Sequence, residues 1–221
     1  MTAANTEGVW ISTRYDLYVY WLDRALGGEP GFALGRIFLG RLWGFWFLNF
    51  AYGLLGLSIA GVLMAYAWKP LPQLREVSAA LLVDFGLAPL LYATFPVSGP
   101  RFAIPSFPAA PASLVPHVLH LHAAPNGVPS LHCSAALLVW WYSRRWKLGS
   151  VAALIHLALV VVSTLGSGQH YAFDLLVAVP YSILAVLVGQ WICAPQTIGS
   201  AQLEQEPLDV AGIDSAEPTA D

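Results

Sequence analysis

Residues 163–174 read STLGSGQHYAFD. The stretch closes one long apolar run and opens another, and it carries Asp174, the single formal charge between Gly149 and the acidic C-terminal tail. Two apolar runs meeting at a short polar break predict two membrane-crossing helices joined by a tight turn. His170 lies four residues before Asp174, so on a helix the two side chains share one face. A carboxylate there accepts a hydrogen bond from one imidazole nitrogen, fixes the tautomer and leaves the other nitrogen free to act. An Asp inside a spanning segment costs about 2.5–3.5 kcal/mol on insertion scales, so function is the first explanation for it. The plainer alternative is an ion pair that locks two helices together.

Composition extends the same reading. Of 221 residues, 57% are hydrophobic and 10% charged, which suits a helical membrane protein and not a soluble domain. The formal charge of −3 comes from the tail, where Glu204, Glu206, Asp209, Asp214, Glu217 and Asp221 stand without a Lys or Arg. That tail, residues 194–221, reads as disordered and solvated. There is no basic patch for nucleic acid. Cys133 and Cys193 fall near opposite membrane faces, which argues against a disulfide, and two cysteines form no zinc motif.

Outward from the central stretch, the chain divides into three parts. Residues 1–42 form an N-terminal interfacial segment: 14–28 is an amphipathic helix with Asp16, Asp23 and Arg24 on one face, and 32–42 a second short piece at the same depth. Residues 43–193 form a membrane-embedded domain with about five spans, near 43–68, 77–95, 130–143, 151–167 and 171–192. The predicted class is an all-α polytopic transmembrane helical bundle. The turns at 69–76 and 144–149 hold Lys69, Arg75, Arg144, Arg145 and Lys147, whereas the long 96–129 connection holds only Arg101. The positive-inside rule makes the turns cytoplasmic and the long connection extracytoplasmic, although Arg14, Arg24, Arg36 and Arg41 then lie on the outer side.

In that arrangement PVSGPR (96–101), NGVPSLHCS (126–134) and STLGSGQHYAFD (163–174) share one outer face. The middle stretch opens a helix, with Pro129 suited to its first turn. Ser130 and the unpaired backbone N–H groups there suit an anion, and His132 sits among them. About fifteen residues make a helix of roughly 22 Å against a ~30 Å hydrocarbon core, so its start lies in a recess. Arg101 offers a fork of donors to a phosphate. Two histidines, one carboxylate and an anion cradle are what in-line phosphoryl transfer requires.

PSLHCS resembles the Pro-Ser-x-His motif of the type 2 phosphatidic acid phosphatase superfamily, and Ser163, His170 and Asp174 are similar in spacing to its final motif. The resemblance implies a helical bundle without a metal or other cofactor. It implies His170 as a nucleophile that becomes a phosphohistidine, Asp174 as its orienting group, His132 as the acid for the leaving group, and Ser130 and Ser163 at the phosphate. Thr164 stands where the superfamily's phosphatases carry an Arg, and GPRF with Arg101 replaces their Lys and Arg-Pro. Loss of that Arg, with His170-Tyr171, is similar to the inositol phosphorylceramide synthase and sphingomyelin synthase branch.

The expected function is therefore an integral-membrane lipid phosphotransferase, inositol-phosphotransferase-like, on the extracytoplasmic face of the cell membrane, with a lipid phosphate or phospholipid as substrate. The alternatives are a lipid phosphate or polyprenyl pyrophosphate phosphatase, and a non-enzymatic membrane subunit that retains the bundle. HVLHLH (117–122) invites a metal reading through His120 and His122, but a loop over the site entrance fits better. Asp84 and His156 fall at similar depth and are expected to pair.

Overall fold

The computed structural model describes residues 15–110 and 125–194. The HVLHLH segment and most of the acidic tail lie outside these residues. Within the described residues eight helices follow in order: α1 (Asp16–Ala25), α2 (Pro30–Phe38), α3 (Leu42–Ala67), α4 (Leu71–Thr94), α5 (Pro100–Ala103), α6 (Leu131–Ser143), α7 (Lys147–Gly166) and α8 (Ala172–Cys193). Among the described residues there is no strand. The protein is the helical membrane bundle that its hydropathy predicts.

Four helices among the described residues, α3, α4, α7 and α8, are long and apolar enough to cross a membrane. Their outward faces carry large apolar side chains, among them Leu57, Met64, Leu82, Leu90, Leu154 and Leu187, each more than half exposed. In a bilayer such faces meet lipid. The fifth helix of the sequence reading, α6, has 13 residues. It spans only about 20 Å and packs among α3, α4, α7 and α8. Small residues make that possible: Cys133, Ser134, Ala135 and Ala136 are all buried. Where α4 meets α8 the backbones come close, and a Cβ on Gly189 would lie 2.8 Å from the Ala80 nitrogen.

Two apolar cores hold the ends of the bundle. One gathers Val62, Tyr66, Val77, Leu138, Tyr142 and Val186 near the Lys- and Arg-bearing turns. There the Tyr66 hydroxyl donates to the Tyr142 carbonyl at 3.0 Å. The other gathers Val19, Tyr20, Phe32, Val97, Ile104 and Tyr171, and it seats the loops of the candidate site.

Several expectations need correction. The stretch 69–76 is not a turn of that length. Prolines at 70 and 72 suit a helix start, so α4 begins at Leu71 and takes in Arg75 and Glu76. Likewise α7 begins at Lys147, inside the expected 144–149 loop. Asp84 and His156 do not pair, because α6 stands between α4 and α7. His156 instead shares a 3.1 Å hydrogen bond with Ser58 of α3, while the Tyr181 hydroxyl donates to the backbone carbonyl of Asp84.

The N-terminal helix turns its acidic face into the protein. The face of α1 that turns inward includes Asp16 and Asp23, 1% and 6% exposed, together with Val19 and Tyr20. Tyr18, Trp21, Leu22 and Leu26 face outward.

Candidate active site

The stretch 163–174 spans the end of α7 and the start of α8. The reversal is made by Gly168 at φ 73°, a left-handed conformation that suits Gly just past a helix end. Its N–H donates to Leu165 O at 3.0 Å, and the N–H groups of Gln169 and His170 both donate to Thr164 O, at 3.1 and 3.3 Å. His170 therefore precedes α8 and is not on its face. The pairing with Asp174 survives by another route. Asp174 is the third residue of α8 and its carboxylate reaches back over the helix start. Its Oδ2 accepts the Tyr171 N–H at 2.8 Å and lies 3.3 Å from His170 Nδ1.

The same nitrogen lies 3.0 Å from Gly127 O. Both neighbours of Nδ1 are acceptors, so Nδ1 carries the hydrogen and Nε2 keeps its lone pair. His170 is only 4% exposed, which holds the ring in that setting.

The three separated stretches come together through backbone contacts. Gly127 N donates to Val97 O at 2.7 Å, Arg101 N to Gly168 O at 2.9 Å, and Ser130 N to Asp174 O at 3.2 Å. Gly99, at φ 89°, lies so close to the 168–170 turn that a Cβ there would be 2.1 Å from Gln169 O. No side chain larger than hydrogen fits that approach.

Ser130 is the N-cap of α6, and its Oγ accepts the Cys133 N–H at 3.4 Å. The N–H groups of Leu131 and His132 have no acceptor among the described residues. The His132 ring stacks on Tyr52 with centroids 3.7 Å apart. It lies within electrostatic reach of His170. Arg101, on α5, is exposed beside the 168 turn. Ser163 is buried and donates its hydroxyl to Val160 O within α7 at 3.0 Å. Thr164, in the position of the missing Arg, likewise donates into α7.

Sequence reasoning missed the carboxylates of α1. Asp16 Oδ1 accepts the N–H groups of Ser98 and Gly99 at 3.0 and 3.1 Å. Asp23 accepts Ala172 N and Phe173 N, at 2.8 and 2.7 Å, on its two oxygens. Burial pushes the Asp23 carboxyl up to about 6. The two N–H donors oppose that rise, and the Asp174 charge adds to it. The available signal was the spacing: residues 16 and 23 are seven apart, two helical turns, and so share a face.

A profile of the PAP2 superfamily matches residues 17–188. The chain belongs to that superfamily, whose members are membrane phosphatases and phosphotransferases. No curated protein and no solved structure matches it significantly.

Proposed function

We propose that this protein is a lipid phosphotransferase that works through a phosphohistidine on His170. The observation that carries the reading is the setting of that ring. Nδ1 is held by Gly127 O and Asp174, Nε2 is left as a nucleophile, and Ser130 N, bonded to Asp174 O, ties to the same corner the start of α6, whose Leu131 and His132 N–H groups have no acceptor among the described residues. In the first half-reaction Nε2 bonds to phosphorus and the bond to the leaving oxygen breaks. His132 gives its proton to that oxygen, and the Nδ1–H···Asp174 contact steadies the positive ring. In the second half-reaction an acceptor hydroxyl attacks phosphorus, its proton passes to His132, and the bond to Nε2 breaks. Leu131 N, His132 N and the α6 dipole face the phosphoryl oxygens, with Ser130 at the cap and Arg101 at the rim.

A lipid substrate is supported by a cavity of about 740 Å³ lined by Leu137, Leu157, Val161, Leu175 and Val179. It reaches Cys133 and Ala172, the chain neighbours of His132 and Tyr171, which suits an aliphatic tail running from the site into the bilayer. Transfer to an alcohol, as in the inositol-phosphotransferase-like branch, is supported by Thr164 and the His170-Tyr171 pair. Extracytoplasmic orientation is supported by Lys69, Arg75, Arg144, Arg145 and Lys147 at the other end of the bundle.

The test is to incubate purified protein with a panel of lipid phosphates, with and without inositol, and to weigh the products. Transfer products support the reading. Free phosphate alone makes the protein a phosphatase. No reaction together with a functional His170→Ala strain points to a non-enzymatic subunit.

A further inference from the structure

The two buried carboxylates of α1 have no part in the steps above, yet they grip the backbone on both sides of His170. Asp23 receives the first two N–H groups of α8, and Asp16 receives those of Ser98 and Gly99. The Tyr171 hydroxyl, directly after His170, also donates to Asp16 Oδ1 at 3.4 Å. One short helix thus ties residues 98–99 to 171–173, the two stretches that pack against the histidine turn.

A peg of this kind needs hydrogen-bond acceptors but no charge. Charge adds something else. Asp23 lies near enough to Asp174 for the two carboxylates to interact, so α1 deepens the negative potential around the pair that holds His170. Attack by Nε2 leaves positive charge on the ring, and negative potential favours that change. The titratable and charged groups at this corner are Asp16 and Asp23 from α1, Tyr171 and Asp174 from α8, His132 from α6, Tyr52 from α3, Tyr92 from α4 and Arg101 from α5. Glu29 and Arg36 lie across the cavity that Asp23 borders.

We infer that Asp23, seconded by Asp16, is a positioning residue for phosphoryl transfer, holding the 171–174 turn and favouring through its charge the positive ring that forms when His170 attacks. The inference rests on the reading of His170 as nucleophile.

The test uses the full chain in lipid nanodiscs, with kcat and KM measured separately on a lipid phosphate substrate. Asp23→Asn keeps one acceptor and removes the charge. We expect kcat about tenfold lower with KM within about twofold. Asp23→Glu, which keeps the charge, should recover most of the lost kcat. If Asp23→Asn does not accumulate folded, Asp16→Asn is read for the same fall in kcat. An unchanged kcat in the folded variant, or a loss that Asp23→Glu does not recover, overturns the inference and leaves Asp23 a structural peg. His170→Ala separates the two claims. If it is inactive while Asp23→Asn behaves as wild type, only the present inference falls. If it is fully active, the nucleophile reading falls first.

Discussion

Two helix N-termini meet at this site, and they are wired in opposite ways. At the start of α8 the N–H groups of Tyr171, Ala172 and Phe173 all end on carboxylates, one from Asp174 and two from Asp23. At the start of α6, among the described residues, only Ser130 Oγ is offered, to Cys133, and the N–H groups of Leu131 and His132 have no acceptor. A helix start attracts anions through such donors and its dipole. In α8 that pull is already satisfied by the protein's own carboxylates; in α6 it is available. The difference gives each helix one task. On the proposed reading, α6 would draw the phosphoryl group and the turn before α8 would present the imidazole that attacks it.

The comparison fails outright if His170 is dispensable. His170→Ala is expected to lower turnover on the order of 10⁴-fold or more and to abolish acid-labile phosphate labelling of the protein. Asp174→Asn removes the charge that steadies the ring and part of the α8 cap. A loss of roughly 10²–10³-fold in kcat is expected, with expression little changed, measured by turnover and by yield of folded protein.

The contrast can also be erased deliberately. Ser130→Asp gives α6 the carboxylate that α8 already has. Asp caps a helix about as well as Ser, so thermal stability should hold. KM is expected to rise about 10²-fold, with weaker inhibition by inorganic phosphate. Unchanged phosphate affinity would take the binding role away from α6.

His132→Ala sharpens the assignment of the acid. With a poor leaving group the rate should fall about 10²-fold, and with a nitrophenol-type leaving group only a few-fold. Equal losses would remove His132 from that role.

The smallest effect concerns Asp23. Its folded carboxyl titrates near 6 against an ordinary 3.8, so the folded state binds the proton more tightly. The stability this lends is complete below about 3.8 and is lost as pH rises through about 6. The unfolding temperature should therefore fall by a few degrees across that window, and Asp23→Asn should flatten the trend.

Much of this architecture was legible along the chain. Long apolar runs have one stable outcome in a bilayer, where every backbone group must be satisfied within a helix. Hence α3, α4, α7 and α8 fall close to their expected places, with errors only at ends such as Leu71, where a polar first turn hides a helix start. The convergence of 96–101, 126–134 and 163–174 was expected from alternating topology, and the backbone bonds among them bear it out. The facing of α1 was not legible. Amphipathic spacing says that a polar face exists but not what it meets, and here it meets N–H groups of the 98–99 loop and of the start of α8, remote in sequence. The Asp84–His156 pair failed for a related reason. Similar depth in the membrane does not make helices neighbours, and α6 separates them.

By itself the sequence determined a lipid-embedded helical bundle, the motif residues His132, His170 and Asp174, and their approach to one end of it. These follow from hydropathy and short-range spacing, which act within a segment. Only the tertiary structure decided that His170 sits before α8 with Nδ1 shared between Gly127 and Asp174, and that Asp16 and Asp23 turn inward to hold the site. Those outcomes depend on which donors are left without partners once the helices have packed, and that count exists only in three dimensions.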